Sequence, residues 1–253
     1  MNSIVSLHII FHTFRLMNLH IIYRISDAGY SKVKPAYITN EHCLRNAIMV
    51  FQDAEFHVIA DNVSEETYAM ICRYVEPNRI SRVSVGHGAG TFNLGLDLAL
   101  TFADDDIVYH LENDYLHRPN SSHLIQEILN HGASYCSLYD HPDKYRAPAL
   151  GGNPFVDNDG GEPTKIYCIG SSHWKITNST TMTFASKVKT LKDDIKILRK
   201  WTNKGHCPND FKMFLELRKK GRALMTPIPG YATHGETLYL SPFTDWESIA
   251  LSE

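Results

Sequence analysis

Along the chain, short apolar runs alternate with stretches whose apolar residues recur at helical spacing. Leu19 to Ile25 reads as a first strand, Glu41 to Phe51 as a helix, and Phe56 to Ala60 as a second strand ending in Asp61-Asn62. Ser64 to Val75 predicts another helix, opened by an approximate Ser-x-x-Glu cap, and Ile80 to Val85 a third strand. Gly86-His87-Gly88-Ala89-Gly90 then leads into a helix over about Thr91 to Phe102, followed by a strand over Ile107 to Leu111. This order predicts a doubly wound α/β sheet, an architecture that places ligands beyond the carboxyl ends of its strands. Asp61, the glycine loop and the acids after Leu111 would all emerge on that rim.

The second half is less regular. A helix near Ser122 to Leu129 and a strand near Ser134 to Leu138 precede a stretch from Asp140 to Pro163 that is rich in proline and glycine. A loop of that length is expected to border a site. Ile166 to Ile169 and Thr181 to Phe184 look extended, with Ser171-Ser172-His173-Trp174 between them. Val188 to Trp201 is a charged amphipathic helix. Gly205-His206-Cys207-Pro208-Asn209-Asp210 introduces a further helix, Phe211 to Lys219, closed by Gly221, and Tyr231 to Glu236 follows a short apolar segment containing Pro227 and Pro229.

With 253 residues and 43% hydrophobic content, the chain can bury a substantial core as one domain. A net charge of −3 gives no broad basic surface, which argues against a nucleic-acid partner. The 5 cysteines show no zinc-like spacing, and their odd number fits a reducing compartment better than a disulfide framework. Asn62, Asn120 and Asn178 begin glycosylation-type triplets, read as chance matches because no secretion signal is recognised. Residues 1–16 are apolar but interrupted by His8, His12 and Arg15, so they suit neither a signal peptide nor a membrane span. They are read as an N-terminal extension from an upstream start codon, or else an accessory helix or edge strand, preceding a domain over 17–253. A cytoplasmic enzyme without a membrane span, with peripheral association still open, is the expectation.

The chemistry concentrates at Leu111-Glu112-Asn113-Asp114-Tyr115. Two acids one residue apart at the end of a buried strand suit a hard divalent cation carrying phosphate oxygens, although acids such as Asp104-Asp105-Asp106 also follow or precede strands merely to solvate a turn. The glycine loop lacks both the dinucleotide and the P-loop spacing, so it reads as a turn that could still let a sugar or nucleoside approach closely. Trp174 either fills core or stacks on a sugar face. Asp210 either complements a helix dipole or serves as a general base. His234 would add nitrogen to an all-oxygen site and tilt preference from magnesium toward manganese. Arg24 and Lys32 or Lys34, near the end of the first strand, either meet a diphosphate or are ordinary solvated charge.

Taken in order, the opening βαβ with Asp61, the Asn93 helix, Glu112-Asn113-Asp114, the Asn209-Asp210 helix start and His234 resemble the nucleotide-sugar glycosyltransferases of the GT-A fold. The likeness spans roughly Leu19 to Trp246. It implies a single Rossmann-like mixed sheet and a transferase moving sugar from a nucleotide-diphosphate donor to a glycan or glycoconjugate hydroxyl, as in relatives that build surface polysaccharides. It places Arg24, Lys34, Asp61, Asn93, Glu112 and Asn113 on the donor, and Asp114, His234 and Glu112 around Mn²⁺ or Mg²⁺. It makes Asp210 the base of an inverting displacement, with Asp140 or Glu162 next in line, and puts His173, Trp174 and Asp140 near the acceptor. Glu112 departs from the commoner Asp-x-Asp form, which bears on its metal contact. The alternatives are a sugar-1-phosphate nucleotidyltransferase, which would want a glycine-rich, arginine-ending loop after the first strand that Ile25-Ser26-Asp27-Ala28-Gly29-Tyr30 does not supply, and an inactive carbohydrate-binding relative.

Overall fold

The structure is a computed structural model that describes residues 18–28, 32–157 and 161–252. The expected extension over 1–16 lies outside the described residues. The first half runs β1 (Leu19–Ser26), α1 (Asn40–Val50), β2 (Glu55–Asp61), α2 (Glu65–Ile71), β3 (Ile80–Val83), α3 (Gly88–Ala99), β4 (Ile107–Glu112) and β5 (Tyr115–His117). The second half runs α4 (Ser121–Asn130), β6 (Tyr135–Cys136), β7 (Ile166–Ile169), β8 (Ser172–Ile176), β9 (Phe184–Lys187), α5 (Val188–Thr202), α6 (Asp210–Lys219), β10 (Leu224–Ile228), β11 (Ala232–His234) and α7 (Trp246–Leu251).

One 9-stranded mixed sheet carries the fold, in the order β3-β2-β1-β4-β9-β6-β10-β8-β7. Strands β3, β2, β1 and β4 are mutually parallel, while β9 enters antiparallel to β4 and begins the mixed half. The expected α/β, Rossmann-like, GT-A-type sheet is therefore present. Successive side chains on a strand face opposite ways, and β1 shows what that does. Ile21, Tyr23 and Ile25 pack with Leu44 of α1, with Phe51 just after it, and with Ile125 and Ile128 of α4. Ile22 instead joins Phe92 and Leu96 of α3, Leu191 of α5 and Phe214 of α6. Because helices cover both faces, the central strands are apolar at most positions on either face, which is why they stand out in the sequence.

Ser64 caps α2 as expected, its hydroxyl accepting from the Thr67 amide at 3.1 Å. The strand expected over Thr181 to Phe184 instead begins at Phe184, because Thr181 and Met182 adopt left-handed backbone at φ 49° and 58°. Such conformations are costly for side-chain-bearing residues and end an extended run. The segment read as a connection around Trp174 is itself strand β8, paired with both β7 and β10.

Two histidines inside this fold set its response to acid. His110 and His117 are fully buried, and burial pulls both ring pKa values down to about 3, helped at His110 by the Arg24 charge. An unfolded histidine titrates near 6.5. Between those values the unfolded chain binds two protons that the folded chain refuses, so stability falls as pH drops from about 6.5 toward 3. Two protons correspond to a slope of about 2.7 kcal/mol per pH unit from this pair alone. Urea midpoints measured between pH 6 and pH 4.5 should show it, and His110→Phe should roughly halve this contribution to the slope.

Candidate active site

The parallel half of the sheet aligns four carboxyl ends at one edge: Ser26 of β1, Asp61 of β2, Val83 of β3 and Glu112 of β4. A cleft of about 580 Å³ opens over that edge, within the usual range for a small-molecule site. Arg24, Lys32, Lys34, Asp61, Glu112, Asn113, Asp114 and Asp210 all line it, as do Gly86 and Gly88 of the glycine loop.

Arg24 and Glu112 are register partners on neighbouring strands, and the guanidinium donates to Glu112 Oε1 at 3.0 Å. Arg24 also donates to the carbonyls of Met182 and Gly88, tying together the strained 181–182 segment and the start of α3. Burial pushes the Glu112 carboxyl above its ordinary range; the Arg24 charge opposes this, and the like charge of Asp114 adds to it. Asn113 turns back to the β1–α1 side, donating to Ser26 O and to Asn40 Oδ1.

Asp114 and His234 meet although they stand 120 positions apart in the chain. The short ladder of β5 and β11 brings this about by pairing Tyr115 with His234. The Gly235 amide then donates to Asp114 O at 2.7 Å, and a Cβ at Gly235 would fall 2.5 Å from Ile38 Cγ2, so only glycine permits so close an approach. The result is 3.2 Å between His234 Nε2 and Asp114 Oδ2. Lys34 Nζ also donates to Oδ2, at 2.9 Å, and Lys32 Nζ lies 3.2 Å from His234 Nε2. Burial alone would raise the Asp114 pKa, but His234 and then Lys34 outweigh it by charge and hydrogen bond, holding the carboxyl well below the usual range.

This pair suits a cation on two counts. Asp114 Oδ1 is buried and has no hydrogen-bond partner, an expensive condition for an anionic oxygen. His234 Nε2 faces a carboxylate and an ammonium at once; with its proton it suits the first and without it the second. Glu112 does not join them as a third ligand, because its carboxylate is turned to Arg24. Among the described residues, three ligand atoms within 4.8 Å of one another occur only at His20, Glu55 and His57, elsewhere on the sheet.

Asp210 lies across the same cleft, at the start of α6. Its Oδ2 accepts from the Thr180 and Thr181 amides at 2.8 Å each, which holds the left-handed turn in place. Asp61 is buried and engaged by the amides of Val85 and Gly86, the closest at 2.6 Å, so it fixes the glycine loop while lining the cleft. The sequence reading passed over Asp27 and Asn40, which also line the cleft. Asp27 directly follows the carboxyl end of β1, the same positional signal that singled out Asp61.

Four expected site residues lie elsewhere. Asn93 does not face the cleft: its side chain bonds to Ala89 O, Asn203 Oδ1 and Thr202 Oγ1, joining α3 to the end of α5. Trp174 is wholly enclosed in the core, its indole donating to Ile169 O, and offers no face to a sugar. His173, its neighbour on β8, is exposed but four strands from β4, about 19 Å at ordinary strand spacing. Asp140 is buried in an ion pair with Lys175 at 2.8 Å and accepts from the Tyr145 hydroxyl. The described residues of the 140–163 loop contribute nothing to the cleft lining. Instead Lys144 reaches Asn178 and Ser179, bracing from behind the segment that Asp210 grips.

No protein-family model matches the chain, and no curated protein matches it by sequence. Solved structures do match by shape. A Bacillus anthracis protein described as a glucose-1-phosphate thymidylyltransferase, in complex with sucrose, superposes with a TM-score of 0.51 at 14% identity, covering 87% of this chain and 91% of that one. GalNAc-T7 with UDP, GalNAc and Mn²⁺ gives a TM-score of 0.54 at 10% identity, covering 87% of this chain and 43% of that one. At such identities the likeness is one of fold alone, an α/β domain built on a GT-A-like mixed sheet. Among the described residues, no helix is long and apolar enough to cross a membrane.

Proposed function

We propose that the protein is a glycosyltransferase that takes a sugar from a nucleotide-diphosphate donor and passes it to an acceptor hydroxyl with inversion. The observation that carries this reading is the meeting of Asp114 and the buried His234 at the carboxyl edge of the sheet, where Asp114 lines one cleft with two lysines and Asp210 and His234 packs behind that lining. The shape likeness to a protein solved with UDP, GalNAc and Mn²⁺ supports it.

In this scheme the nucleotide end of the donor lies along β1, β2 and the glycine loop, beside Asp61, Gly86 and Gly88. The diphosphate lies toward Lys32, Lys34 and Arg24. Asp114 and His234 would hold Mn²⁺ or Mg²⁺, which when bound neutralises charge building on the leaving diphosphate oxygens. Lys34 can leave Asp114 for a phosphate oxygen without stranding its own charge, and Lys32 can do the same from His234. Asp210 takes the acceptor proton through Oδ1, since Oδ2 is occupied by two amides that keep the carboxylate oriented.

A nucleotidyltransferase is the second reading, favoured by the thymidylyltransferase-like match. The products separate the two. Incubation with nucleotide-diphosphate sugars and Mn²⁺ should release nucleoside diphosphate and give a β-for-α or α-for-β change at the anomeric carbon. Pyrophosphate formed from a nucleoside triphosphate and a sugar phosphate would replace this reading with the second, and retained configuration would remove the direct role of Asp210.

A further inference from the structure

The alternation along β1 and β2 that builds the two hydrophobic layers also places His20, Glu55 and His57 on one face, the face shared with α3, at the end of the sheet opposite the cleft. His20 and Ser26 are separated by six residues of extended chain, so this cluster lies roughly 20 Å from the cleft edge. We propose that these three side chains form a second metal site, selective for a borderline transition-metal ion such as Zn²⁺, which clips β1 to β2.

The spacing of the two imidazoles carries the argument. His20 Nδ1 and His57 Nε2 are 3.3 Å apart. Two nitrogens each about 2.0–2.1 Å from one tetrahedral ion are separated by about 3.3–3.4 Å, so the pair is already set at ligand spacing. One ring nitrogen of each histidine and a Glu55 carboxylate oxygen all lie within 4.8 Å of one another. Glu55 and His57 are partly exposed, which leaves solvent to supply the fourth position and a path for entry. Two nitrogens and one carboxylate favour Zn²⁺ or Co²⁺ over the oxygen-seeking ions suited to the cleft.

The surroundings hold the ligands in the form a metal needs. His20 is buried, its ring stacked on Phe102 at 3.9 Å, so it cannot swing away. Its Nε2 is buried without a hydrogen-bond partner and lies 3.5 Å from Asp106 Oδ2. That arrangement calls for the proton on Nε2, facing the carboxylate, and the lone pair on Nδ1, facing His57; a carboxylate behind a ligating histidine works in this way. Arg79 lies 3.3 Å from Glu55 Oε2 and would remain as the outer partner of that carboxylate. The ion would replace the proton that otherwise bridges the two imidazoles.

Co²⁺ titration of the full-length Asp114→Asn protein is the test, because that background removes the cleft's carboxylate ligand and Co²⁺ reports tetrahedral nitrogen coordination through intense visible bands. One Co²⁺ per chain with those bands is expected, competed off by Zn²⁺. His57→Ala should abolish the bands and weaken binding by more than about 100-fold, and Asp106→Asn should weaken it by about 10- to 100-fold. In the same Asp114→Asn background, Zn²⁺ at a hundredfold excess over Kd should raise Tm by roughly 5–10 °C, a shift absent once Glu55→Gln or His57→Ala is added. His57 is partly exposed, so its replacement tests the site without opening the core. No saturable Co²⁺ binding, or bands that survive His57→Ala, would overturn the proposal and leave a simple hydrogen bond between the rings. Neither result bears on sugar transfer, which depends on the other end of the sheet.

Discussion

Replacing Asp114 with asparagine is expected to lower kcat for sugar transfer by about 10²–10³-fold, the cost of losing one preorganised electrostatic contact to charge that develops during reaction. The side chain keeps its size, so the effect should not come from lost packing. What disappears is the negative charge that now faces His234 at 3.2 Å and Lys34 at 2.9 Å. In the wild type these three groups balance one another, and the carboxyl remains ionised far into acid because His234 and Lys34 overcome the effect of its burial. In the variant, Lys34 has no fixed anion to leave when a diphosphate arrives, and His234 loses its anionic neighbour. A Tm increase on adding Mn²⁺ together with a nucleotide-diphosphate sugar should appear in the wild type and vanish in Asp114→Asn, since a ligand stabilises only the form that binds it. Asp114→Asn protein that folds, keeps the Mn²⁺-dependent shift and transfers sugar at the wild-type rate would refute the assignment of the cleft.

The parts of this arrangement that could be read from sequence are those made by long, doubly covered strands. β1, β2 and β4 are largely buried on both faces, so they read as mostly apolar runs despite His20, Arg24, His57 and His110, and their ends are marked by polar residues, Asp61 and Glu112 among them. Periodicity says much less about β5 and β11, at three residues each, yet these two strands bring His234 to Asp114. The sequence therefore suggested His234 through its ligand chemistry and the family likeness and not through its position, whereas the ladder supplies the physical reason. Trp174 shows the opposite difficulty. A tryptophan between extended segments suits a sugar platform and a core position equally well, and only the pairing of β8 with β7 and β10 closes the ring off. Asn93 failed for a related cause: its helix was anticipated, but the sequence does not say which helix packs against its polar side, and α5 is 109 residues away at the Thr202 contact. The left-handed pair Thr181 and Met182 carries no local signal at all, since neither residue favours that backbone. It exists because Asp210 and Arg24 hold it from either side.

That last dependence shapes the second large effect. Asp210→Asn should lower kcat by about 10²–10⁴-fold, the usual worth of a positioned general base, while leaving the donor KM close to the wild-type value. Asparagine can keep the two amide hydrogen bonds now made to Oδ2, because its side-chain oxygen accepts as a carboxylate oxygen does. The turn at 181–182 should therefore survive, and with it the Arg24 contact to Met182 O and the shape of the cleft. What the substitution removes is the capacity to take a proton from the acceptor hydroxyl. Asp210→Ala is the instructive companion: it frees the Thr180 and Thr181 amides as well, so it should raise the donor KM and lower Tm in addition to slowing transfer. A purely structural Asp210 would be rescued by asparagine and damaged by alanine. A base is lost in both, and its loss should also remove the acidic limb of the kcat against pH profile. Full transfer activity in Asp210→Asn, with donor binding unchanged, would show that another group accepts the proton. The buried Asp140 is poorly placed for that task, because Lys175 and Tyr145 already occupy its carboxylate and it lies outside the cleft lining.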